Sequence, residues 1–290
     1  PDQKRFFVGF GGYLFKSNQV RRQIQKEAQG TKVLSISASR ISQIDLYFPS
    51  LPEQQKIASF FTAVDQKLTA LKKKKELLEQ YKKGVMQKIF SQKLRFKDES
   101  GKPFPDWEEK KLGEVLIKNS RKNKNQEFIL VQSVSNKYGF INQEEYFEDR
   151  RVASKDTSNY YVIEKGTFAY NPSRIDVGSL AYKVDDITSV ISPLYISFKT
   201  KKDYLDDLFL LRWLSSEFFT NQMNKSFEGG VRNTLSYENL SKIIIKIPLL
   251  MEQHKIADFL SAIDKKIEEV QKQIEKKEQW KKGLLQQMFV

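Results

Sequence analysis

The sequence predicts an α+β protein: a mixed α/β domain together with two long helices packed as an antiparallel coiled coil. Three observations carry this. The stretch PSLPEQQKIASFFTAVDQKL, residues 49–68, returns as PLLMEQHKIADFLSAIDKKI, residues 248–267, at an offset of 199 residues. Both copies run on with apolar residues spaced alternately by three and four, the heptad spacing of a helix seam. Between the copies lies a unique block of β-branched and aromatic runs broken by turn residues.

Taken in order, residues 1–50 read as the tail of a globular unit. Ile36–Phe90 overlays Leu235–Phe289 without a gap, with fainter matches of Gln23 to Gln222 and Gly30 to Gly229. Gly9, Gly11 and Gly12 fall where the second copy has the helical pattern LDDLFLLRW. Some fifty residues are too few to bury a core of their own. The first long helix is expected over 51–93. Pro52 and Glu53 suit its first turn, where the missing donor is harmless and a carboxylate meets the positive end of the dipole. Its seam runs Ile57, Phe60, Val64, Leu68, Leu71, Leu78, Val85, Ile89. The second helix, 249–290, has the seam Ile256, Phe259, Ile263, Ile267, Val270, Ile274, then Lys281, Leu284, Met288. Each helix spans roughly 55 Å at ~1.5 Å per residue. So narrow a seam needs a partner helix, and the other copy is the economical one. An antiparallel pairing spares the linker after the first helix from routing the chain back.

The block 94–248 is predicted to be one complete mixed domain. EFILVQSV (127–134), YYVI (160–163), GTFAYN (166–171), SLAYKV (179–184) and SVISPLYISF (189–198) read as strands, and KIIIKIP (242–248) as a final strand or a strand-like entry to the second long helix. Residues 203–223 read as two short helices joined near Ser215 and Ser216, and DESGKPFPDW (98–107) as a linker.

Fifty basic residues against thirty-six acidic ones give a net charge of +14, which fits a partner dense in negative charge, most often nucleic acid. No apolar run reaches the ~18–20 residues of a membrane span. There is no secretory pattern at the start and no cysteine, so a cytoplasmic protein without disulfides or thiolate metal sites is expected.

Catalytic patterns fail on inspection. Asp106, Glu108 and Lys110 carry the letters of a metal-dependent nuclease, but they are contiguous in a linker and cannot converge on one ion. FVGFG (7–11) and NPSR (171–174) resemble parts of an amino-methyltransferase. The second Pro and the aromatic of its base-holding loop are absent, and the Gly turn sits at the chain's edge. His254, the one histidine, has no second His, Cys or adjacent Ser to work with. Binding is expected rather than catalysis, with no cofactor on this chain.

Three loops combine cations, amides and small residues: KNSRKNKNQ (118–126), AYNPSRIDVGSLAY (169–182) and EGGVRNTLS (228–236). Arg and Asn can make paired hydrogen bonds to guanine or adenine edges, while Lys and Ser suit phosphates. The candidates for contact with double-stranded DNA are Arg121, Lys122, Lys124, Asn171, Ser173, Arg174, Arg232 and Asn233, with Lys137 from SNKYGF (135–140). Asn, Gly and Ser are also ordinary turn formers, so any one such loop is more often structural than base-reading. Phe60, Tyr81, Phe259 and Trp280, at equivalent places in the two copies, are candidates for docking partner subunits.

The repeated LPEQQKIA…VD and MEQHKIA…ID, the helix ends KKGVMQKIF and KKGLLQQMF, and the lead-in GKPFPDWEEKKLGEV resemble the specificity subunits of type I restriction-modification systems, over almost the whole chain. The resemblance implies two target-recognition domains, each reading half of a split DNA site and each followed by a conserved spacer helix. It implies docking of methyltransferase subunits and a restriction/translocase subunit, which would carry S-adenosylmethionine, ATP and Mg. On that pattern 1–50 is the C-terminal remnant of a first recognition domain and 94–248 the complete second. The alternative is a truncated specificity cassette or decoy that self-pairs.

Overall fold

The computed structural model describes residues 5–29, 35–143, 156–227 and 233–289. They divide into two compact units, Pro1–Tyr81 with Ile263–Val290, and Lys82–Ala262.

In the first unit, serines start the short helices. Ser17 caps α2 (Asn18–Glu27) by accepting from the Val20 amide, and Ser37 caps α3 (Ala38–Ile41) by accepting from Arg40. Helices α1 (Phe10–Leu14) and α2 lie against the start of the 40-residue α4 (Leu51–Phe90) and the end of α9 (Leu250–Met288), while α3 contacts α2. The core is shared, because the short segment has none to itself. Phe10, Tyr13, Leu14 and Val20 bury against Ile57, Ala58, Phe61 and Phe289. The Val, Leu, Ile and Phe side chains among them each contribute about 1.5–3 kcal/mol when fully removed from water.

The long helices run antiparallel in this unit. Lys72 pairs with Glu278 at 2.6 Å, while the earlier Asp65 pairs with the later Lys281. Val64, Leu68 and Leu71 pack with Val270 and Ile274 in the seam. The seam departs from the expected one at a phenylalanine in each copy, and again at the end of the second helix, where Phe289 is buried and Met288 exposed. Phe61 and Leu260 are fully buried, whereas Phe60 is exposed and Phe259 half-buried. The short helices widen the apolar stripe and draw in the residue next to the strict heptad position. Phe61 lies between the Tyr13 ring, at 5.0 Å, and Phe289, at 6.4 Å.

The second unit holds the strands. The first of two four-stranded sheets has the order β2-β9-β6-β7, from β2 (Leu116–Lys118), β6 (Phe168–Tyr170), β7 (Leu180–Tyr182) and β9 (Ile196–Thr200). The other has the order β4-β3-β8-β5, from β3 (Val131–Ser135), β4 (Gly139–Asn142), β5 (Tyr161–Ile163) and β8 (Ser189–Ile191). Only the pairing of β3 with β8 is parallel among these. Lys183, fully buried just past β7, donates to Asp185 at 2.7 Å and to Gln132 of β3 at 3.0 Å, tying the sheets together. Residues 108–111, expected in a linker, form β1 (Glu108–Lys111), paired antiparallel with β10 (Ile244–Ile247). The remaining helices are α5 (Leu112–Val115), α6 (Asp207–Leu214), α7 (Glu217–Lys225) and α8 (Tyr237–Lys242).

The internal repeat persists at the level of single atoms. Gln54 donates to the carbonyls of Arg5 and Pro49 and accepts from the Phe7 amide, at 3.1, 2.8 and 2.9 Å. Gln253 does the same with Tyr204, Pro248 and Asp206, all at 2.8 Å. Gln23 brackets the backbone of Asp45 as Gln222 brackets that of Ile244. Ser216 and Ser236 cap α7 and α8 as Ser17 and Ser37 cap α2 and α3. Every pair is offset by 199, so the gap-free correspondence reaches back to Arg5. The stretch carrying Gly11 and Gly12 is helical, as its counterpart is.

Candidate nucleic-acid interface

The turn at 171–178 is built from short-range hydrogen bonds. Asn171 folds its side chain back to accept from the Ser173 amide at 3.0 Å, and its own carbonyl accepts from the Arg174 amide at 3.0 Å. Gly178 closes the turn at φ +89°, a conformation open to glycine and costly for other residues. Two further turns are stitched to this one. Asn136 donates to the Val177 carbonyl, and the Leu235 amide donates to the Pro172 carbonyl at 3.1 Å. The buried Tyr170 hydroxyl donates to Leu235 at 3.1 Å, and burial pushes its ionisation far above the ordinary tyrosine range. Ser173 meets Thr234 at 3.5 Å.

The structure therefore brings together Asn171, Ser173, Arg174 and Asn233, with Lys137 beside Asn136. Arg174 and Asn233 are exposed, and Arg174 forms no ion pair among the described residues. Lys137 is exposed and lies 4.8 Å from the Tyr138 ring centre. Arg232 lies outside the described residues.

The 118–126 loop has a different character. Arg121 is paired with Glu164, which also accepts from Lys199 at 3.1 Å. The Lys199 hydrogen bond, assisted by the charges of Lys199 and Arg121, holds the Glu164 carboxyl below its usual range. Lys122 donates to the Asn159 carbonyl at 2.7 Å and sits 3.5 Å from the Tyr161 ring centre. Buried Asn123 holds the Phe128 backbone from both sides. Lys124 is exposed. Asn136, Thr234 and Glu164 went unnoticed in the sequence. Each acts on a residue 41 or more positions away; Asn136 and Thr234 lie in loops marked by composition, but no local pattern marks their partners, or Glu164 at all.

Of the docking candidates, Phe60 is 40% exposed and meets Trp280 edge-on at 5.8 Å; Tyr81 and Trp280 are also exposed. Phe259 is engaged edge-on by Phe96 at 5.6 Å. Glu108 and Lys110 pair with each other at 2.9 Å, and Asp106 lies 3.8 Å from Arg95. The His254 side chain is exposed, 3.7 Å from Asp206. Among the described residues no group of three acids or histidines is placed to hold a metal, and no helix is long and apolar enough to cross a membrane.

Two long helices packed together, with a mixed domain of two four-stranded sheets, are the class this architecture defines. The chain belongs to the type I restriction modification DNA specificity domain family, whose model matches residues 9–80 and 105–278. It is 28% identical over 295 residues to the type I restriction enzyme MjaVIII specificity subunit of Methanocaldococcus jannaschii, covering 94% of this chain and 68% of that protein. Its fold is similar to that of the type I restriction-modification S subunit from M. genitalium, with a TM-score of 0.59 and 18% identity over 100% of this chain and 74% of that one. A chain solved in work on complex assembly and conformational transition of the type I R-M system gives a TM-score of 0.56 at 16% identity, over 98% and 71% of the two chains. The chain thus spans about two thirds of its curated relatives' length: 68% for MjaVIII and 64% for a second relative from the same organism. Specificity subunits are the non-catalytic, DNA-recognising part of their systems, and this chain is one of that kind.

Proposed function

We propose that residues 94–248 read one half of a split DNA target, and that the long helices dock methyltransferase subunits which carry the chemistry. S-adenosylmethionine belongs to those subunits, and ATP and Mg to a restriction/translocase subunit. The observation that carries the reading is the stitching of two further turns to the one that carries Arg174. Its guanidinium is free of ion pairs among the described residues, whereas Arg121 is neutralised by Glu164. A free guanidinium on a rigid turn suits bidentate hydrogen bonding to a guanine edge. Exposed Lys124 and Lys137 suit phosphates. On the docking side, exposed Tyr81 and Trp280 offer aromatic anchors of the kind that dominate subunit interfaces.

The test is methylation mapping in cells making this chain with a cognate methyltransferase subunit. A split motif is expected, and Arg174→Ala should change or abolish site choice while leaving the melting curve unchanged. Methylation of the same sites at the same rate by Arg174→Ala would remove Arg174 from base reading.

A further inference from the structure

Each copy of the repeat carries the same three side chains on one face of its long helix, at positions i, i+3 and i+7. In the second copy they are Glu252, Lys255 and Phe259, and a single segment covers them. Arg95 grips Glu252 with two hydrogen bonds of 2.9 Å, and the Trp107 indole donates to the same carboxylate at 3.2 Å. Lys255 donates to the Lys97 carbonyl at 2.8 Å and lies 5.6 Å from the Phe104 ring centre. Phe96 meets Phe259 edge-on at 5.6 Å. Glu252 is left with no exposed surface.

In the first copy the equivalents are Glu53, Lys56 and Phe60, identical in type, and all three are exposed. The opposite side of the same turn is fully used: Gln54 has its three backbone partners and Ile57 and Ala58 are buried, as in Gln253, Ile256 and Ala257. The two copies therefore match in residue type and inner contacts, and differ in what lies over this outer face.

We propose that Glu53, Lys56 and Phe60 form a docking face for the lead-in segment of a first recognition domain, a peptide with the chemistry of Arg95–Trp107. Its arginine grips Glu53, a backbone carbonyl accepts from Lys56, and its phenylalanine covers Phe60. The proposal rests on the reading that a recognition domain belongs before α4, but its readout involves no DNA, so either can fail while the other stands.

A labelled synthetic peptide of the sequence of residues 91–109, SQKLRFKDESGKPFPDWEE, is titrated with the whole chain and followed by fluorescence anisotropy. Saturable one-to-one binding is expected, weakened about tenfold or more by Glu53→Gln in the chain or by Arg95→Ala in the peptide, the loss of roughly one charge-assisted hydrogen-bond pair. Glu53 is exposed, so the variant folds, and an unchanged melting curve verifies this. No saturable binding, or binding that Glu53→Gln and Phe60→Ala leave unchanged, overturns the proposal. Self-association abolished by Glu53→Gln without peptide binding overturns it in favour of a second copy.

Discussion

Replacing Glu252 with alanine strands a part-buried guanidinium and a buried indole. The Arg95 side chain is 22% exposed and keeps its hydrogen bonds to the carbonyls of Phe104 and Pro105, but loses the bidentate carboxylate. Removing one partner of a buried ion pair costs about 3–5 kcal/mol, and the partial exposure of Arg95 puts this case near the bottom of that range. The Trp107 indole, in a buried site, adds on the order of 1 kcal/mol when left unpaired. A loss of about 3–4 kcal/mol, divided by a urea dependence of roughly 2 kcal/mol per molar, lowers the unfolding midpoint by ~1.5–2 M. The assay is urea denaturation followed by circular dichroism, which reads both units, with the fluorescence of buried Trp107 and Trp213 in a Trp280→Phe background assigning the transition of the second unit. The control is built into the chain. Glu53→Ala changes the same residue type at the same helix position, but on an uncovered face, and should shift stability by no more than about 0.5 kcal/mol. Equal shifts for the two variants, or a shift below about 1 kcal/mol for Glu252→Ala, would refute the account of the buried cluster.

Gln54→Ala and Gln253→Ala each remove three hydrogen bonds from a buried amide, so both should destabilise their units by about 2–3 kcal/mol in the same denaturation assay. The Glu164 carboxyl titrates below its ordinary value of 4.5, so its contribution is intact above that pH and is lost as pH falls through the lowered folded value. Glu164→Gln should accordingly flatten the acid limb of the stability profile below pH 4.5, read by circular dichroism. Gly178→Ala places a side chain at φ +89° with no close steric neighbour, so backbone strain alone is at issue. About 1 kcal/mol of lost stability, seen in a thermal melt, is expected.

The long helices were legible because heptad spacing and a gap-free repeat are local, redundant signals. Phe60 and Phe61 mark the limit of that legibility. Both are aromatic and adjacent, and only the docking of α1 and α2 decides which one enters the core. The strand at Glu108–Lys111 was hidden by its charge. It forms because β10, more than a hundred residues later, supplies its hydrogen bonds. The loops rich in Asn, Ser and Arg stood out by composition, but not which arginine is neutralised. Glu164, 43 residues from Arg121, is brought to it by β5 and the bridge between Lys122 and Tyr161.

The two glutamine clamps have a consequence for how such a chain can change. Every bond that Gln54 or Gln253 makes stays within its own copy, and the helices beyond them share one register. A single crossover in the gene between matching points of the two repeats would excise or duplicate one whole globular block. The clamp would survive, and the joined helix would keep an unbroken seam. Inheritance can thus remove or add a globular block without renegotiating the joint that holds it.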